Sequence, residues 1–495
     1  MANAMPWHAF LRYIDTTGIL LLTRTSKAVR LILQNNPPAE VAVRTGRDAL
    51  PRDLVNIVAM SQMMHFVALN LDLSKWREMS NAPIRVAGIF PYCPHLRKIR
   101  IRFCALPEGE MVAMAHALKC CTGLVGIRFD NMDLGVESGR ALADALQQLP
   151  ALEAMHMDKG SFDINIHTPF GVIFQALAAR PRLHTLDLYN YCIMDAKMAD
   201  LAAVLPQFST LSTLLLAGNE MSTPRLAHDV GTAVGKLPKL DTLDLTDMRG
   251  ERARVEDILA PFLRGLASAG MYQPTSCNLS LNRMGLDAMP ALGNLLCADT
   301  EKHTKHLCMQ YSEITGGALS MLVKEVRGRG PIRLHTLDIE CNELGDIGVV
   351  ELARLVKLCP FLENLFVDEN EISDHGIVTL VQELVQYSKL CRLSLGYNEI
   401  TCTGARVLAQ ALPSWLGLAE LNLESNYIAN DGARCLAAVA PECSALQRLS
   451  LSRNEIGEDV AQELAGTLPA GGFRVHEQFY FAQDRETGGL GGVGV

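Results

Sequence analysis

The 495-residue chain is poor in aromatic residues, 6% of the total with only three tryptophans, and it has no run of 18 or more apolar residues. The second absence excludes a transmembrane helix. GILLLT at 18–23 is too short to span, and the N-terminus shows neither a basic n-region nor a small-residue cleavage site. The 14 cysteines form no C-x-x-C pair and no zinc spacing. P-loop, G-x-S-x-G and dinucleotide fingerprints are missing as well. His303 and His306 have no carboxylate or thiol at a fixed distance to complete a metal site. These absences leave no catalytic residue, cofactor, metal or small-molecule substrate to expect. They also fit reduced thiols in a cytoplasmic protein, with the nucleus or a cytoskeletal or axonemal assembly as alternatives.

What the chain does have is a fixed period. From Leu334 onward five segments recur every 28 residues: LHTLDIECNEL, LENLFVDENEI, LCRLSLGYNEI, LAELNLESNYI and LQRLSLSRNEI. Each reads L-x-x-L-x-L-x-x-N-x-I/L, blurred only at Phe366 and Val367. Leu337 and Ile339 sit two apart with a polar residue between them, the period of a strand that buries one face. Asn342, Asn370, Asn398, Asn426 and Asn454 hold one register, where an amide can satisfy buried turn groups. The phrase GARVLAQAL has the stripe of an amphipathic helix, and Gly348, Gly376, Gly404 and Gly432 recur where side-chain room is short. One such unit cannot bury both its faces alone, so the period predicts a stacked solenoid.

The pattern resembles the leucine-rich repeats of the ribonuclease-inhibitor type. Weaker copies precede the five: TKHLCMQYSEI, with Ser312 at the Asn position, then copies at Leu279/Leu281, Leu240, Leu211, Leu183, Leu152, Leu124 and Leu96. RLHTLD occurs at both 182–187 and 333–338, and a poorer copy starts at Phe66. The resemblance implies an α/β horseshoe solenoid of about fourteen strand–helix repeats of about 28 residues, with a small helical N-terminal cap. The expected organisation is residues 1–50 as cap or linker, 51–481 as solenoid with its C-terminal cap, and 482–495 as a Gly-rich tail. FRVHEQFYF at 473–481 is expected to supply the last strand. Charged insertions, RGERARVED at 249–257 foremost, interrupt the period.

Charge is unevenly spread. Residues 1–103 carry 14 Lys+Arg against 6 Asp+Glu, so the rest of a chain of net charge −9 holds −17. In a horseshoe the polar strand positions line the concave surface, where members of the family commonly hold protein partners. There the first copies place Arg97, Arg100, Arg102 and Arg128, and the later ones Asp187, Asp244, Asp338, Glu340, Asp368 and Glu424, with Tyr189, Phe366 and Tyr397 interleaved. Strands about 4.8 Å apart give about 60 Å of face over about thirteen steps, enough for a protein interface of about 800 Å² per partner. A merely solvated surface accounts for the acids equally well. Nucleic acid is not the favoured partner of the basic end, because no stacking aromatics accompany the arginines.

The first 35 residues lie outside the period. FLRYIDTTGILLLTRTSKAVRLIL resembles a degenerate F-box, on Tyr13-Ile14-Asp15, Ile19-Leu20 and Thr25-Ser26-Lys27. That resemblance implies docking on a Skp-type adaptor of a cullin ubiquitin ligase through Ile14, Leu20 and Leu22, with Pro6 standing closer to Tyr13 than the family pattern requires. A helical cap sealing the first repeat explains the same residues. Two other roles remain open: an architectural subunit of an axonemal or organellar assembly, and a GTPase-activating protein of the Ran type. The latter resembles this repeat class, but no N-terminal motif of that family carries over.

Overall fold

The computed structural model describes residues 40–44, 68–72, 87, 90–93, 95–102, 107–130, 134–158, 169–190, 195–248, 256–269, 272–384, 389–465 and 473–474. The chain divides into two compact units, Met1–Asn278 with Ala298–His303, and Leu279–Cys297 with Thr304–Val495. Ile14, Leu20, Leu22, the insertion at 249–255 and the tail lie outside the described residues.

The first unit lays nine strands side by side in chain order: β1 Glu40–Arg44, β2 Ala68–Asp72, β3 Lys98–Arg102, β4 Gly126–Asp130, β5 Ala154–Asp158, β6 Thr185–Asp187, β7 Thr213–Leu215, β8 Thr242–Asp244 and β9 Ser276–Asn278. All neighbours are parallel, and the pairing aligns Ile99, Ile127, Met155, Leu186, Leu214, Leu243 and Cys277 in one row. Every residue of that row is buried. The second unit repeats the arrangement with β10 His306–Cys308, β11 Thr336–Asp338, β12 Asn364–Phe366, β13 Arg392–Ser394, β14 Glu420–Asn422, β15 Arg448–Ser450 and β16 Phe473–Arg474. Its row runs Leu307, Leu337, Leu365, Leu393, Leu421 and Leu449, each worth about 1.5–3 kcal/mol when removed from water. Helices such as Gly345–Lys357, Asp374–Leu384 and Cys402–Ala411 form the return limbs and pack on their neighbours. The α/β leucine-rich repeat solenoid expected from the period is therefore what each unit shows.

Two registers differ from the sequence reading. The strand before the 299–306 segment is Ser276–Asn278, so Cys277 and Leu279 occupy the two leucine positions in place of Leu279 and Leu281. Leu281 is 46% exposed in a turn at φ +58°. The strand-face residue of this copy is accordingly Asn278, not Ser280. A strand at Glu40–Arg44, pairing with β2, also stands ahead of the first copy read from the sequence. At the other end β16 occupies Phe473–Arg474, at the head of the expected last strand, and residues 475–481 lie outside the described part.

The recurring asparagines lock each turn to the previous one. Asn398 donates through Nδ2 to Val367 O at 3.1 Å and Gly396 O at 3.0 Å, while its Oδ1 accepts from Asn370 N at 3.1 Å and Ile372 N at 3.0 Å. Asn342 and Asn426 repeat the scheme toward Met309 O and Leu395 O. Helix starts are joined in the same way. Asp374 accepts from Thr401 N at 2.8 Å and Gly404 N at 2.9 Å, capping the next helix of the stack. A Cβ on Gly404 would stand 2.5 Å from Asp374 Oδ1, which explains the glycine at this register.

Candidate recognition face

On β3 and β4 the arginines do not stand free. Asp130, 5% exposed, lies between them: Arg100 Nε bonds its Oδ2 at 2.6 Å and Arg128 Nε its Oδ1 at 2.7 Å. One step along, His156 Nδ1 lies 3.0 Å from Asp187 Oδ2. Burial pushes the Asp187 carboxyl up, but His156, the Tyr189 N–H and Arg128 outweigh it and hold it below the usual range. Asp158 is raised, by burial and then by Asp130. Arg97, Lys98 and Arg102 are exposed at the edge of this cluster. Arg100, Arg128, His156 and Asp187 thus share one row across β3–β6. Tyr189 is 52% exposed in the turn beyond it. Asp244 turns back on its own loop, accepting from Thr246 N at 2.9 Å and Thr246 Oγ1 at 2.6 Å.

The second unit gathers acids on β11 and β12 and the turns that follow. Gln310 Nε2 bridges Asp338 Oδ2 at 2.8 Å and Glu340 Oε2 at 3.0 Å. Asp368 accepts from Gly396 N at 2.8 Å and Asn422 Nδ2 at 3.0 Å, both through Oδ1. Its Oδ2 is buried, and the Asp368 side chain is hydrogen-bonded to the Glu340 carboxyl. Burial, then the charges of Asp338 and Asp368, push Glu340 up to about 8. Phe366 lies half-buried across from Asp338. Further on, Glu420 sits between Arg392 at 3.3 Å and Arg448 at 3.2 Å, and Glu424 lies 3.6 Å from Arg453. Tyr397, 47% exposed, stands in the turn after β13, off the strand row.

Chemically this is a surface of paired arginines, clustered carboxyl groups and aromatic rings. Among the described residues no group of three or more His, Cys, Asp or Glu is placed to hold a metal ion. Burial raises the thiols of Cys308 and Cys341 to about 11, so neither is a nucleophile at neutral pH. No helix among the described residues is long and apolar enough to cross a membrane. Apart from the copy at Cys277, the strand register was legible in the sequence, but Asp130, the buried acid that fixes both arginines, was not. Nor were Tyr427 and the glutamates Glu343, Glu371 and Glu399, which lie past the strand in the turns.

Comparison with known proteins agrees with the repeat reading. The family model described as "Leucine Rich repeat" matches residues 334–353. Ribonuclease inhibitor from Sus scrofa is 26% identical over 364 residues, covering 67% of this chain and 74% of the inhibitor. Of solved structures, an internalin from Listeria monocytogenes aligns over 94% of this chain and 95% of its own at 15% identity and a TM-score of 0.37. A leucine-rich repeat protein from Leptospira interrogans aligns over 90% of this chain and 98% of its own at 17% identity and a TM-score of 0.42. The period, the asparagine ladder and the match at residues 334–353 show a chain built of leucine-rich repeats, similar in sequence to ribonuclease inhibitor.

Proposed function

We propose that the chain is a non-catalytic interaction scaffold that holds a protein partner on the strand face of its repeats. The observation that carries this reading is the segregation of charge on that face. Arg97, Lys98, Arg100, Arg102 and Arg128 cluster in the first unit, while in the second Asp338, Glu340 and Asp368 gather on the strand row and turns beside Phe366, with Glu424 two repeats further on. Fixed fields of opposite sign steer and orient a partner more than they add raw affinity, and a half-buried aromatic among charges is a typical anchor. The paired Lys98→Glu and Phe366→Ala variant should lose the partner recovered by affinity purification, whereas Leu416→Ser, at a 71% exposed position outside the strands, should keep it. Retention by the first variant would remove the strand face from the proposal.

The sharper form makes residues 1–35 a docking module for a Skp-type adaptor, and the protein a cytoplasmic substrate receptor of a cullin ubiquitin ligase. It rests on Tyr13-Ile14-Asp15 and on the spacing of Leu20 and Leu22. Mass spectrometry of stoichiometric partners, with and without residues 1–35, tests it. Adaptor and cullin recovered from the full chain and lost on deletion support the receptor reading. One fixed complex recovered in both cases replaces it with an architectural subunit.

A further inference from the structure

The turns after β10–β14 enclose a groove of about 670 Å³. Its lining holds five glutamates and three tyrosines and no Lys, Arg or His. Tyr311, Tyr397 and Tyr427 are 56%, 47% and 47% exposed, a large amphipathic surface for a soluble face. Glu313 is paired with Arg283 at 2.9 Å. Glu343, Glu371 and Glu399 are exposed and have no ion pair among the described residues. Like charges gathered this closely repel one another unless a cation comes between them.

A second observation points the same way. The chain itself shows the chemistry that fits: the Arg453 guanidinium bonds the Tyr397 hydroxyl at 2.5 Å and lies 3.6 Å from Glu424. The carboxylates are spread singly along the turns, not grouped as metal ligands, an arrangement suited to cationic side chains spaced along a strand of peptide.

We propose that this groove receives an extended, arginine- or lysine-bearing segment of the protein partner. Its cationic heads meet Glu343, Glu371 and Glu399, and its side-chain stems lie on the rings of Tyr311, Tyr397 and Tyr427. The proposal rests on the reading of the chain as a protein-binding scaffold and names the chemistry of the bound segment. Fluorescence anisotropy of the full chain with labelled arginine-serine, lysine-serine and glutamate-serine peptides tests it. The arginine and lysine peptides should bind and the glutamate peptide should not. The Glu343→Gln, Glu371→Gln, Glu399→Gln triple variant should weaken binding about tenfold, three exposed charge contacts being removed together. Tyr427→Leu should weaken the arginine peptide further, with the melting temperature unchanged. A second triple variant, Glu137→Gln, Glu301→Gln and Glu442→Gln, removes the same number of negative charges at exposed positions outside the groove lining and should bind as the parent does. Equal loss in both triple variants would assign the binding to bulk acidity and overturn the proposal. So would spermine bound as tightly as the peptides through the same three glutamates, or no binding of the basic peptides at low salt. If the groove variants do nothing while Lys98→Glu with Phe366→Ala still releases the partner, the groove assignment fails and the scaffold reading stands.

Discussion

Asn398 and Asn370 occupy the same register one repeat apart, yet the structure predicts very different costs for removing them. Replacing Asn398 by alanine deletes four hydrogen bonds. The Gly396 carbonyl keeps the Glu369 N–H, so three buried groups are left without a partner: the N–H groups of Asn370 and Ile372 and the carbonyl of Val367. At about 1–3 kcal/mol for each buried unsatisfied group, less whatever water recovers, the loss should be about 3 kcal/mol or more. Asn370 Oδ1 has no partner to begin with. Its Nδ2 serves Ile339 O and Asp368 O, and these carbonyls keep the Asn342 amide and the Cys341 N–H. Asn370→Ala therefore orphans no backbone group and should cost about 1 kcal/mol. Urea unfolding followed by circular dichroism, with both variants against the parent, reads the difference directly. Equal destabilisation by the two variants would refute the ladder as the source of turn stability.

Three further outcomes follow from the same geometry. The helices Pro224–Val234 and Glu256–Ser268 touch through Gly231 and Gly265, where a Cβ would stand 2.1 Å from Phe262 O and from His228 O respectively. Gly231→Ala should cost at least about 1–3 kcal/mol, because backbone and not a pliable side chain must yield; a neutral result in thermal melts would contradict this approach. Asp374→Ala should cost about 1 kcal/mol by leaving the Thr401 and Gly404 N–H groups uncapped, and Asp374→Asn should recover part of it in the same denaturation assay. Glu340, held at about 8 by burial and by Asp338 and Asp368, keeps its proton in the folded state over a range where the unfolded chain has lost it. The folded state binds more protons between the ordinary glutamate value and about 8, so its contribution to stability falls as pH rises through that window. Glu340→Gln should flatten this decline in melting temperature, and an unchanged pH profile would refute the assignment.

The parts of the fold legible in the sequence are those where one residue type suffices for one role. Leucine at the strand positions and asparagine three residues after the last of them recur at a fixed step, so Leu337, Ile339 and Asn342 announced their places. The register slipped where the role passed to another residue. Cys277 fills a leucine site and Leu281 mimics one in an exposed turn, while β1, EVAVR, contains no leucine to signal the start of pairing at Glu40. The face was legible as a column of charge, but not the state of each charge. Asp130 holds Arg128 on its own strand and Arg100 one repeat back, and Asp368 is buried beside Glu340 of the preceding repeat, so the stacking of repeats decides both. The groove tyrosines belong to turns, whose convergence depends on stacking and leaves no period-2 signal.

The account stands most directly on where a partner touches the chain. A photo-crosslinking benzophenone amino acid in place of Phe366, and in a second protein in place of Ile347, which is 81% exposed on the helix Gly345–Lys357, would be irradiated in native extract. Capture of a stoichiometric protein from position 366 and none from 347 is the predicted result. Capture from 347 with position 366 silent would place recognition on the helices and contradict the account.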